Sequence, residues 1–91
     1  MTIRKLVEER GESYGPPAEN HARTAALWNA YLRSRQMANV STVIFNPTDV
    51  CFLNLLQKVA RCMGPNGPSK DSLTDIQGYA ENLLILYDMV E

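Results

Sequence analysis

Two charged pairs flank one short turn of this chain. Lys58 and Arg61 are three residues apart, Asp71 and Asp75 are four apart, and Gly64-Pro65-Asn66-Gly67-Pro68 lies between them. Helical positions three or four apart share a face, and a turn this short folds the second helix back along the first. A basic pair is therefore expected to meet an acidic pair. Two chemistries fit. Mutual neutralisation gives a charge lock, which adds little net stability once buried. Left unpaired, Lys58 supplies a point charge and Arg61 a planar fork for a phosphate. Asp71 and Asp75 are then the donor type that holds Mg²⁺, with water and phosphate oxygens completing the shell. Asp71 is equally explained by its place at the positive end of a helix. Gly78, inside a helical pattern, costs about 1 kcal/mol relative to alanine and suggests close approach by another backbone or a ligand; Tyr79 beside it joins the candidate set.

A second cluster is Arg10-Gly11-x-x-Tyr14-Gly15-Pro16-Pro17. A tyrosine in a tight Gly/Pro loop is placed to stack on a base, with Arg10 and Arg23 available for phosphates. The plainer reading is a tyrosine plugging the gap between two helices. Asn20 and His21 follow at the start of the next helix, where they either recognise a base or sugar or simply face solvent. His21 is the sole histidine and has no cysteine or evident carboxylate partner, so a catalytic dyad is not expected. Trp28 and Tyr31 read as core.

Four helices would position these groups. Thr2 caps a short first helix with Ile3, Leu6 and Val7 on one face, ending near Gly11. Ser13 to Pro17 reads as non-helical because two prolines remove donors and restrict Gly15. Pro17 opens a second helix running to about Arg35, with a broad apolar face of Ala22, Ala25, Ala26, Trp28, Ala30, Tyr31 and Leu32. Val40 to Phe45 is rich in β-branched residues, but a lone strand has no partner here; it is expected to be an extended connector with Val43 and Phe45 packed on the bundle. Asn46-Pro47-Thr48-Asp49 is a strong helix start. The third helix continues to about Met63 with Val50, Leu53, Leu56, Val59, Ala60 and Met63 as its stripe, and Gly64 stops it. Ser69 caps a fourth helix reaching almost to Glu91. Its apolar positions, Leu73 to Val90, cover more than half its circumference, which calls for cover on more than one side.

Ninety-one residues make one small helical domain, 1–91, near the lower limit for a self-sufficient core. A second subunit is therefore expected. A formal charge of −1 argues against general nucleic-acid binding, which needs a basic excess. Cys51 and Cys62 on one helix would lie about 16 Å apart, too far for a disulfide, so they read as free thiols in a reducing compartment. The apolar run Leu83 to Tyr87 is too short to span a membrane, and no signal peptide is evident. A cytoplasmic protein is expected.

Glu9-Arg10-Gly11-x-x-Tyr14-Gly15, Glu19-Asn20, Leu27-Trp28-x-x-Tyr31-Leu32, Pro47-x-Asp49-Val50, Lys58-x-x-Arg61 and Asp71-Ser72-x-x-Asp75-Ile76-x-Gly78-Tyr79-Ala80 together resemble a family of small phage and prophage proteins without assigned function. The last block is also similar to phage nucleotide-modification-associated domains and, more distantly, to MazG-type all-α nucleoside triphosphate pyrophosphohydrolases. That resemblance implies a MazG-like helical hairpin and a site for nucleotides and Mg²⁺. The hydrolases carry Glu-x-x-Glu and Glu-x-x-Asp motifs; here the first position holds Lys58 and Arg61, and only Asp71 and Asp75 remain of the second. The expectation is an all-α, compact bundle of about four helices forming a homo-oligomer in the host cytoplasm. It would bind a nucleotide or nucleotide-derived signal without turnover through Arg10, Tyr14, Asn20, Arg23, Lys58, Arg61, Asp75 and Tyr79. By analogy with phage proteins that sequester immune signals, an anti-defence role follows. The alternatives are a Mg²⁺-dependent pyrophosphohydrolase using Asp71 and Asp75, and an interaction module that inhibits a host factor through the fourth helix.

Overall fold

The structure, a computed structural model, describes residues 2–38 and 44–90. Four helices make up its regular structure: α1 (Ile3–Tyr14), α2 (Pro17–Ala38), α3 (Pro47–Cys62) and α4 (Lys70–Val90). No strand occurs among the described residues. Local chemistry sets most of the ends. The Thr2 hydroxyl accepts from the Lys5 amide at 3.2 Å. Asn46 and Asp49 form a reciprocal capping box around Pro47, with side-chain acceptors 2.8 and 3.0 Å from the two amides. Ser69 Oγ accepts from the Ser72 amide at 3.1 Å and starts α4.

Four expectations about the chain change. α1 does not stop near Gly11 but continues through Tyr14. The prolines constrain only Gly15, which follows the last helical residue with φ +91° and so acts as a left-handed cap. Gly64 does not supply a left-handed stop for α3; Gly67 has the positive φ in that turn, +70°, and Gly64 has another use described below. The alanine face of α2 points outward, and Ala22, Ala25, Ala26 and Ala30 are exposed. Its inner face is the mostly polar series Asn20, Arg23, Thr24, Tyr31 and Arg35 with Leu27 and Leu32, all buried or half-buried. Val40 and Val43 lie outside the described residues; Phe45, expected to pack on the bundle, is exposed.

α3 is the central helix, with α2 along one side and α4 folded back antiparallel along the other; α1 lies against α2. Ala60, fully buried, and Cys51 are the buried apolar side chains among the described residues. The Cys51 thiol donates to the Tyr79 carbonyl at 3.3 Å, tying α3 to α4. Burial pushes that thiol above its usual pKa. Trp28 Nε1 donates to the Leu53 carbonyl at 2.7 Å, and the Tyr31 and Phe52 rings lie 5.8 Å apart, so α2 is held to α3 by aromatic side chains that remain partly exposed. The molecule is elongated, 44 × 26 × 24 Å, rather than compact. Among the described residues no helix is long and apolar enough to cross a membrane.

Candidate functional site

The α1–α2 corner and the α3–α4 turn meet at one end of the bundle. α1 delivers Tyr14 as its last residue, and the Tyr14 carbonyl accepts from Arg23 Nη2 at 2.8 Å. A Cβ on Gly64 would lie 2.7 Å from that same carbonyl oxygen. Glycine is therefore required at 64, so that the turn after α3 can touch the end of α1. A Cβ on Gly15 would meet Pro65 at 3.1 Å. The two turns thus seat against one another, and Arg61, in the last turn of α3, lays its guanidinium 4.9 Å above the Tyr14 ring centroid.

The corner encloses a pocket of about 230 Å³. Tyr14, Gly15 and Pro17 form its apolar and backbone wall; Arg10, Asn20, His21 and Arg61 supply its polar groups. No carboxylate is among these lining residues. Asn20 is only 9% exposed, yet among the described residues its Oδ1 has no hydrogen-bond partner, and neither does the buried Nε of Arg61 or of Arg23. Buried polar atoms are normally satisfied, so three such atoms around one corner mark it as a place where water or a ligand can bind.

The structure brings Arg10, Tyr14, Asn20 and Arg61 together and places Arg23 directly behind Tyr14. It separates them from the rest of the expected set. Lys58 Nζ lies 3.2 Å from Asp75 Oδ2, with Lys58 largely buried and Asp75 half exposed. Asp71 is exposed in the first turn of α4. Tyr79 lines a different, open groove of about 320 Å³ between α3 and α4, with Val50, Ile85 and Leu86. No group of three or more potential metal ligands occurs among the described residues. The basic pair is thus divided: Lys58 meets a carboxylate, and Arg61 meets an aromatic ring.

The ion pair with the deepest burial lies outside the expected set. Asp49, 2% exposed, accepts from Tyr31 Oη at 2.5 Å, from Arg35 Nε at 2.8 Å and Nη2 at 3.2 Å, and from the Asn46 amide. Arg35 above all, then Tyr31 and the Asn46 amide, hold the Asp49 carboxyl at about 2 against its burial. Burial, with Asp49 adding to it, pushes Tyr31 up to about 12. Tyr31 and Arg35 are four apart on α2 and Asp49 is the capping-box acid, so the signal lay in two helix-surface rules read jointly. Gly15 and Pro17 of the second sequence cluster and His21, for which base or sugar recognition is one alternative, also line the pocket.

Residues 2–83 match the model of the domain of unknown function DUF6378. Two similar proteins are the Gene 55 protein of Mycobacterium phage L5, 43% identical over 85 residues, covering 88% of this chain and 49% of that protein, and the Gene 55 protein of Mycobacterium phage D29, 35% identical over 80 residues, covering 88% and 46%. The chain spans about half the length of these relatives. No solved structure matches it.

Proposed function

Because the chain belongs to the DUF6378 family, a domain of unknown function shared with phage proteins, we propose its role from the corner site: it binds an anionic nucleotide or nucleotide-derived signal there, without turnover. The observation that carries this reading is the buried Oδ1 of Asn20, without a partner among the described residues, in a pocket whose charged groups are Arg10 and Arg61. Asn20 asks for an N–H donor, such as an exocyclic amine or ring imino group of a base. Arg10 and the free edge of Arg61 suit a phosphate. A volume of about 230 Å³ is below the usual range of about 300–1,000 Å³ for drug-sized ligands, so one protomer suits a mononucleotide-scale group rather than a dinucleotide.

The pairing of Lys58 with Asp75 supports binding over hydrolysis, since it leaves Asp71 as the one carboxylate of the acidic pair not held by a cation. In a phage context the reading extends to sequestering a host immune signal in the host cytoplasm, by a homo-oligomer. The test is mass spectrometry of small molecules released by heating the purified protein, followed by calorimetry with the compound found. Recovery of a nucleotide-like anion that fails to bind Asn20→Ala or Arg61→Ala protein is the expected result. A protein that releases no such molecule and binds no common ribo- or deoxynucleotide would overturn the reading. Metal-dependent pyrophosphate release from deoxynucleoside triphosphates, lost in Asp75→Ala, would replace it with the hydrolase of MazG type.

A further inference from the structure

We infer that the outward seam of α4 is where a second copy of this chain packs, antiparallel, with a two-fold axis beside Ala80. α4 carries two seams. Ser72, Ile76, Tyr79, Leu83 and Leu86, at alternating spacings of four and three, are buried or half-buried against α3. A quarter turn away, Leu73, Gln77, Ala80, Leu84 and Tyr87 repeat the same spacing, and all five are exposed. Leu73, Leu84 and Tyr87 show 52%, 60% and 62% of their surface. Alternation of four and three over two heptads, apolar at all but Gln77, is the pattern of a helix-pairing seam, whereas a helix covered on one side alone carries polar residues there.

The surface area is sufficient for a partner of this size. A compact monomer of 10.2 kDa exposes about 5,300 Å², and this chain exposes 6702 Å². The excess of about 1,400 Å² exceeds the roughly 800 Å² that each partner contributes to a stable interface. The radius of gyration, 15.2 Å, likewise exceeds the about 12 Å expected of a compact chain this long.

Charge fixes the direction. Lys70 and Asp88 flank the same side of the seam, eighteen residues apart, and neither forms an ion pair among the described residues. In an antiparallel pair, positions on one side of the seam face their counterparts. A register centred on Ala80 then sets Leu73 against the partner's Tyr87 and brings Lys70 within two residues of the partner's Asp88, about 3 Å along the axis, twice by symmetry. The small Ala80 falls at the crossing point, where the helices approach most closely.

Light scattering of the full chain at micromolar concentration should give twice the 10.2 kDa of one copy; a monomer would overturn the inference. Leu84→Glu should give a monomer of unchanged helicity, because Leu84 is exposed in the protomer, and a folded Leu84→Glu dimer would equally overturn it. Should that variant not fold, cross-linking decides. Ala80→Cys should form a covalent dimer on oxidation or with a short bis-maleimide, above the level set by the native Cys51 and Cys62. Leu73→Cys should link poorly to itself but readily to Tyr87→Cys in a mixture. Failure of Ala80→Cys to link, or self-linkage of Leu73→Cys at the same rate, would rule out the antiparallel seam.

Discussion

Arg61 meets no carboxylate among the described residues; its guanidinium rests on the Tyr14 ring. Its removal strands no charge, so Arg61→Ala should lower stability by only about 0.5–1 kcal/mol while abolishing anion binding. A thermal melt beside a binding isotherm checks both. Asn20 is sharper still, because deleting an unsatisfied buried acceptor is neutral or stabilising. Asn20→Leu should melt no lower than the parent and lose its ligand; a clear loss of stability would reveal a structural role instead. Of the charge lock that is one alternative for Lys58, Arg61, Asp71 and Asp75, the Lys58–Asp75 pair forms, and the more deeply buried pair lies at Asp49. Asp49→Ala leaves Arg35 and Tyr31 without their acceptor and should cost about 3 kcal/mol, the low end for a broken buried pair because Arg35 still reaches water. The pH dependence follows. The Asp49 carboxyl titrates near 3.9 when unfolded and at about 2 when folded, so its contribution is full well above pH 4 and is lost as pH falls from 4 to 2. Tyr31, at about 12 against 10 unfolded, adds a loss as pH rises from 10 to 12. Melts of Tyr31→Phe should show no alkaline step of this origin.

Helix starts were readable because each is encoded within a few residues: Thr2 through Lys5, Asn46 through Asp49, and Ser69 through Ser72 each close a local ring. Helix ends and facing were less so. α1 runs past Gly11 because Gly15 caps it from outside, and α2 turns its alanines outward because Asn20, Tyr31 and Arg35 have partners or a pocket on the inside. No composition rule reveals that a polar stripe is the inner one. The corner site was half legible: Arg10, Tyr14 and Asn20 lie close in sequence, but Arg61 joins them only because Gly64 lets the second turn touch the first. Two glycines separate these effects. Gly64→Ala places a Cβ 2.7 Å from the Tyr14 carbonyl, so one backbone must move; the variant should lose stability and binding together. A Cβ on Gly78 would meet nothing within 4 Å, and Gly78 stands apart from the outward seam. Gly78→Ala should therefore stabilise α4 by about 1 kcal/mol, measured by denaturant midpoint, and a destabilised Gly78→Ala would reveal a close neighbour on that side.

At the scale of the molecule, the small buried apolar core and the large apolar surface bear on the same problem. Among the described residues, Cys51 and Ala60 are a modest fully buried apolar core for a domain that must offset the conformational entropy of its chain. The outer face of α4 was legible in sequence as apolar excess; its division into an α3 seam and an outward seam needed the positions of both helices. If the outward seam is covered by a second copy, part of the folding free energy comes from association and depends on concentration. The melting temperature of the parent chain should then rise as protein concentration is increased a hundredfold. Leu84→Glu should melt lower and at a temperature independent of concentration. Adding the small molecule recovered from the corner site should raise both, since that pocket lies within one protomer, at the opposite end of α3 from the Val50–Ile85 groove. A ligand that restored dimerisation to Leu84→Glu would instead show that the corner and the seam act on each other.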